Sequence, residues 1–288
     1  MEIKSDKENP VTQYIDLDKV IAAKNPRLKR LLPRFVINYI KKTIHQDDLN
    51  KILRENQDRT GLDFVDSVLE QSGVKVSVKG IENLPVDGRW IIASNHPLGG
   101  FDGMALISVA GKINKNIVFP VNDLLMHIEN MKSLFIPINK HGSNAGNARL
   151  FDETFASDKA ILYFPAGLCS RKQHGQIADL EWKKSFLTKA RKHQRDIVPC
   201  FIEGRNSNWF YNLAFWRSRL GIKANIEMFY LVDEMFRQRD KEIKIMFGKP
   251  ISYRIFDKTN TDLAWAEKLR DYVYRMGKVN VGSFKTAE

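Results

Sequence analysis

The sequence predicts an α/β fold, a mainly parallel central sheet flanked by helices, with an N-terminal helical segment before it. Three observations carry this. Short apolar runs recur from residue 74 onward, segments of helical length separate them, and residues 1–72 are charged and helical in texture. Strands alternating with helices are the pattern of βαβ units, whose strands are covered on both faces and so read as near-continuous apolar runs.

Taken in order, helix starts fall near Asp16 and Asp47, each an N-terminal acid ahead of a mixed apolar and charged stretch. Val74-Lys75-Val76-Ser77-Val78-Lys79 alternates as a strand does, and Gly80-Ile81-Glu82-Asn83-Leu84-Pro85 reads as a turn. The apolar runs at residues 90–93, 117–119, 134–136, 160–164 and 197–202 are strands, with helices expected over 102–110, 146–156 and 180–193. A last strand at 243–248 precedes a closing helix near 262–276. We divide the chain into a helical segment, 1–72, and an α/β domain, 73–288.

Composition narrows the function classes. A chain of 288 residues with 43% hydrophobic and 28% charged residues is neither disordered nor fibrous. Its 46 Lys+Arg against 34 Asp+Glu give +12, which favours nucleic acid, an anionic bilayer or acidic substrates. Cys169 and Cys200 are too few for a disulfide framework or a structural zinc site. The N-terminus is polar, and no apolar stretch approaches the ~20 residues that span a bilayer. The expected location is therefore cytoplasmic, peripheral on the inner face of the cell membrane. No recognised nucleic-acid-binding motif accompanies the charge, so no specific nucleic-acid partner is expected.

Chemistry concentrates in loops that follow strands, where open α/β sheets place their sites. The first is Asn95-His96-Pro97-Leu98-Gly99-Gly100-Phe101-Asp102. Glycines let the chain fold back so that a carboxylate at the start of the next helix reaches the imidazole. An aspartate on one ring nitrogen fixes the tautomer and leaves the other nitrogen as a general base, suited to deprotonating a hydroxyl or amine as it attacks a thioester. A structural histidine beside a helix-capping aspartate is the competing explanation. The second loop, Phe164-Pro165-Ala166-Gly167-Leu168-Cys169-Ser170-Arg171-Lys172, offers N–H groups, Ser170, Arg171 and Lys172 to an anion, or is simply solvated. The third, residues 139–147 with Lys140, is either a wall of an acceptor pocket or an ordinary connection. The fourth holds Val198-Pro199.

In this order and spacing, His96 and Asp102, Phe-Pro-Ala-Gly with Arg171, and Val198-Pro199 resemble the blocks of the glycerolipid (lysophosphatidate-type) acyltransferase superfamily, over roughly residues 75–250. The resemblance implies a His96/Asp102 catalytic pair and an acyl-carrier-protein or coenzyme A thioester as co-substrate, with no other cofactor and no metal. It implies that the Arg171 block holds a phosphate or carboxylate of a small-molecule acceptor. The expected substrate-binding set is Asn95, Gly99, Gly100, Lys140, Gly167, Ser170 and Arg171. Two departures stand out: five residues separate His96 from Asp102 where the family has four, and Ala166 replaces the family's glutamate. Both resemble the bacterial branch that N-acylates amino acids in ornithine- and glycine-lipid synthesis, which favours an amine acceptor, with O-acylation of lysophosphatidate or glycerol 3-phosphate as the alternative.

Two stretches fit an anionic membrane surface as partner. Leu28, Leu31, Leu32, Phe35, Val36, Tyr39 and Ile40 recur at helical spacing beside Arg27, Lys29, Arg30, Arg34, Lys41 and Lys42, and Trp209-Phe210-Tyr211 with Phe215-Trp216 is edged by Arg205, Arg217, Arg219 and Lys223. Packing on a core is the alternative for both. A serine hydrolase is disfavoured, since no Gly-x-Ser-x-Gly elbow occurs. A non-catalytic basic lipid- or nucleic-acid-binding protein is the remaining alternative.

Overall fold

A computed structural model describes residues 14–121, 125–137, 145–173, 175–278 and 284, apart from the side chains of Lys24, Leu28 and residues 145–148. The chain divides into two compact units, before and after Asp58/Arg59. The first contains helices α1 (Leu17–Lys24), α2 (Pro26–Leu31), α3 (Arg34–Thr43) and α4 (Gln46–Glu55). Asp16 caps α1 by accepting the Lys19 N–H, as its position ahead of the helix predicts. Pro33, with its fixed φ of −60°, precedes α3 directly and divides the Leu28–Ile40 apolar stripe between two helices.

The second unit begins with α5 (Gly61–Gln71), which the sequence reading assigned to the N-terminal segment. Phe64, Val65 and Val68 are buried, and α5 packs on α6 (Gly100–Ile113), where Leu62 lies against Gly111 and Ser108 donates to Asp66. The rest is the α/β body: β1 (Lys75–Lys79), β2 (Ile91–Ser94), β3 (Ile117–Val121), β4 (Phe135–Pro137), α7 (Ala145–Ala156), β5 (Ala160–Tyr163), a small hairpin β6 (Arg171–Gln173) and β7 (Gln176–Ala178), α8 (Ser185–Lys192), β8 (Ile197–Glu203), α9 (Asn208–Arg219), α10 (Leu231–Phe236), β9 (Glu242–Phe247) and α11 (Asp262–Met276).

The seven strands of the main sheet run in the order β1-β9-β8-β2-β5-β3-β4, parallel at every pairing except β8 with β9. The register sets Ile91 beside both Ile161 and Ile197. These residues and Ala93 face a core formed with Phe186, Leu187 and Ala190 of α8 and Trp265, Leu269 and Val273 of α11. β2 is buried at all four residues, as a central strand covered on both faces must be. The β6–β7 hairpin lay unread in the sequence because three-residue strands carry no periodicity. Helix α8 starts at Ser185, five residues later than expected at 180: Trp182 is buried and its indole N–H donates to Asp179, which holds residues 179–182 out of the helix.

One buried cation closes the end of α7. Arg195 is fully buried, with Nε donating to Phe155 O (2.6 Å), Nη1 to Lys159 O (2.6 Å), and Nη2 to the carbonyls of Thr154 and Ser157. Those oxygens belong to the last turn of α7 and the chain just beyond it, where helical partners run out and the macrodipole favours positive charge. Burial lowers the guanidinium to about 10, so it stays charged at neutral pH. Arg195→Met should lower stability by about 3 kcal/mol in denaturant unfolding, and Arg195→Lys should recover only part of it, because an ammonium cannot reach carbonyls spread along a planar fork. Unchanged stability in Arg195→Met would contradict this role.

Candidate active site

Strands β2, β5 and β8 run side by side in one direction, so the loops at their carboxyl ends gather along one edge of the sheet. His96 lies two residues beyond β2. Gly99, at φ +96°, makes a turn open to few residues other than glycine, and α6 begins at Gly100. Helix α10 comes close here: a Cβ on Gly100 would lie 2.8 Å from Met235 Sδ. Asp102, third residue of α6, is fully buried. Its Oδ2 accepts the Leu98 N–H (2.8 Å) and the Gly99 N–H (3.1 Å), its Oδ1 the Gly103 N–H (2.8 Å), and His96 Nδ1 lies 3.0 Å from Oδ2. An ionised carboxylate only accepts, so this network assigns the proton to Nδ1 and leaves Nε2 as the basic nitrogen. Five residues separate His96 from Asp102, and the turn through Gly99 still brings their side chains within 3.0 Å.

The imidazole is held from its face and its backbone as well. Phe164, just past β5, stacks on it with centroids 4.1 Å apart and planes 16° apart, and Phe119 meets Phe164 edge-on at 5.2 Å. Behind the loop, fully buried Asp179 accepts the His96 backbone N–H (3.2 Å), the Ser170 hydroxyl (2.7 Å) and the Trp182 indole N–H (2.9 Å). Burial raises the Asp179 carboxyl, and the donors from Ser170, Trp182 and His96 oppose that rise. The Ser170 N–H donates to His96 O (2.7 Å), joining the first and second loops.

A cavity of about 630 Å³ opens beside this pair, within the range of small-ligand pockets. His96, Gly99, Gly100 and Gly167 line it at the polar side. Ile107, Phe119, Val121, Ile128, Met131 and Phe135 are among the apolar residues around it. Cys169 and Cys200 are buried, and burial pushes both thiols up to about 12, so neither supplies a thiolate nucleophile near neutral pH.

The structure thus brings together His96, Asp102, Gly99, Gly100 and Gly167. Three other residues expected to bind substrate have different occupations. Asn95 is buried, with its amide donating to Ile202 O (2.9 Å) and accepting the Ile202 N–H (2.7 Å), which ties the end of β2 to β8. Ser170 is buried and engaged with Asp179 and His96. Arg171 is buried too: Nη1 donates to Cys169 O (2.8 Å), Nη2 meets Glu227 Oε1 at 3.1 Å, and the guanidinium lies 4.9 Å from the Phe210 ring centroid. Glu227, fully buried, also takes Arg217 Nε at 2.7 Å. These side chains fasten the second loop and are not among the residues lining the cavity. Lys140 and residues 139–144 of its loop lie outside the described residues. Ala166 is buried in the apolar core with Trp182, a position where a glutamate would be placed among hydrophobic side chains. Sequence reasoning missed Asp179 and Lys183; the latter lines the cavity, and no local pattern marks either.

Residues 19–279 match the family described as Acyltransferase. The chain is 47% identical over 264 residues to the lyso-glycine lipid O-acyltransferase of Bacteroides thetaiotaomicron, covering 91% of this chain and 97% of that protein. It is also 47% identical over 264 residues to the lyso-glycine lipid O-acyltransferase of Phocaeicola vulgatus, covering 91% and 95%. Among solved structures, the 1-acyl-sn-glycerophosphate acyltransferase PlsC of Thermotoga maritima aligns over 76% of this chain and 83% of its own, with a TM-score of 0.46 and 17% identity.

Asp102→Asn would turn an acceptor into a donor facing His96, Leu98 or Gly99. It is expected to lower acyl transfer about 10²–10⁴-fold while circular dichroism retains the α/β signature. Wild-type turnover in that variant would remove Asp102 from the mechanism.

Proposed function

Because the chain belongs to the acyltransferase family, we propose that it O-acylates a lyso-glycine lipid, drawing the fatty acyl group from an acyl-carrier-protein or coenzyme A thioester. The observation that carries the chemistry is His96 Nδ1 held 3.0 Å from buried Asp102 at the wall of a largely apolar cavity. The relatives' names move the acceptor from the amine favoured by the sequence motifs to a hydroxyl.

In this reading His96 Nε2 takes the proton from the acceptor hydroxyl as its oxygen attacks the thioester carbonyl carbon. The tetrahedral intermediate collapses with cleavage of the C–S bond, and the same nitrogen returns the proton to the departing thiolate. An ester and a free thiol result. Asp102 keeps the imidazole in one tautomer and orientation through both proton transfers. The cavity's apolar side chains receive an acyl chain and exclude water, which would otherwise hydrolyse the thioester.

Acceptor and product are lipids, and among the described residues no helix is long and apolar enough to cross a membrane. Access therefore runs through a peripheral surface. On α9, Trp209 and Trp216, seven positions apart, and Leu220 just beyond the helix are 57%, 58% and 71% exposed along one face, beside Arg205, Arg219 and Lys223. In the N-terminal unit, Leu31, Phe35 and Tyr39 are exposed at four-residue intervals, with Arg27, Arg30 and Arg34 close in sequence. Cations beside exposed aromatic and aliphatic side chains suit an anionic bilayer, at roughly 1 kcal/mol per well-placed charge.

Purified protein given an acyl thioester should esterify a lyso-glycine lipid in preference to free glycine, ornithine, lysophosphatidate or glycerol 3-phosphate, and His96→Ala should reduce this about 10²–10⁴-fold or more. Selective acylation of glycine or ornithine nitrogen would reverse the acceptor assignment, and undiminished turnover in His96→Ala would refute the base. In flotation with phosphatidylglycerol vesicles, Trp216→Glu combined with Leu220→Glu should bind several-fold more weakly, as should wild type in high salt. Equal flotation of that variant would exclude α9 as a membrane surface.

A further inference from the structure

The sequence motif gives the acceptor's anion to Arg171, but that guanidinium is buried against Glu227 and does not line the cavity. A glycine headgroup acylated on nitrogen keeps its carboxylate, so this acceptor needs another cation near the base. Among the described residues lining the cavity, Lys183 is the single lysine or arginine. Its Nζ lies 3.6 Å from where a Cβ on Gly167 would sit, placing it at the turn that follows Phe164, the stacking partner of His96. The Lys183 N–H donates to Pro165 O (3.1 Å), which fixes the root of the side chain to the same turn. The side chain is exposed, and no carboxylate among the described residues pairs with it.

We infer that Lys183 binds the carboxylate of the acceptor headgroup and so positions its hydroxyl toward His96. This rests on the acceptor reading above. A single ammonium that pairs with no carboxylate among the described residues suits a single carboxylate. The thioester donor's nearest phosphate is a poorer candidate, because the whole pantetheine arm separates it from the reacting carbon, whereas the headgroup carboxylate belongs to the molecule that carries the nucleophile.

The test uses binding, so that it does not depend on turnover. N-lauroylglycine and its carboxamide, N-lauroylglycinamide, are titrated below their aggregation concentrations into wild type, Lys183→Gln and Lys183→Arg. Neither ligand has an acceptor hydroxyl. Wild type should bind the carboxylate form about tenfold more tightly, Lys183→Gln should bind both alike, and Lys183→Arg should keep most of the preference, with acyl-coenzyme A affinity equal in all three. The substitutions leave the backbone bond to Pro165 in place, so all three proteins are expected to fold. A preference that survives in Lys183→Gln, equal binding of the two ligands by wild type, or a loss in Lys183→Gln confined to acyl-coenzyme A would each overturn the assignment. Wild type that discriminates between the ligands yet fails to esterify a lyso-glycine lipid would sink the acceptor reading while leaving Lys183 as a carboxylate-binding residue.

Discussion

A buried carboxylate without donors is unstable, and Asp102 is fully buried at the heart of this molecule. Desolvating an ionised carboxylate costs several kcal/mol unless hydrogen bonds replace its water. Here three backbone N–H groups and the His96 ring supply them, all from the turn that ends β2 and opens α6. The same bonds that make the charge tolerable also fix the imidazole. The turn therefore has to have this shape, with Gly99 at a positive φ, and Met235 packs close against Gly100. The stability of the carboxylate and the orientation of the imidazole at this point are consequences of one network.

Around it lies a second layer, of which Phe164 also lines the cavity. Asp179 gathers the His96 backbone, Ser170 and Trp182, Phe164 supports the ring, and Asn95 joins β2 to β8. Glu227 between Arg171 and Arg217 fixes the β6 end of the second loop to the layer formed with α9. Two guanidiniums around one carboxylate leave net positive charge in a buried place, offset by carbonyls such as Cys169 O and by the Phe210 ring. A motif arginine can thus occupy a motif position and still serve to hold the loop.

The cavity follows from the sheet. Strands β2, β3 and β5 end beside one another, so Phe119, Val121, Tyr163 and Phe164 project around one space with α6 as a further wall. Apolar walls with the His96 ring at one side suit a reaction in which a long hydrocarbon must be dry while one proton moves. The exposed aromatic face of α9 lies in the same unit as this cavity, and the exposed stripe of α2 and α3 lies in the other. Each is an amphipathic surface in its own right.

The sequence by itself determined what local spacing encodes. The apolar runs mark all seven strands of the main sheet, and the closing helix covers residues 262–276 as read. The His96–Asp102 contact spans six positions across a Gly-Gly turn, short enough for chain geometry to dictate it. Tertiary structure decided the partners that lie far apart in the chain: Asn95 with Ile202, His96 with Asp179, Arg171 with Glu227, and Lys183 with the cavity. It also set the division at Asp58, because α5 packs on α6 of the second unit, and an apolar stripe does not say which neighbour it will meet. A side chain's reach is a few ångströms, so which polar groups pair depends on which loops the strand register sets side by side, and that register is fixed by the burial of the whole sheet.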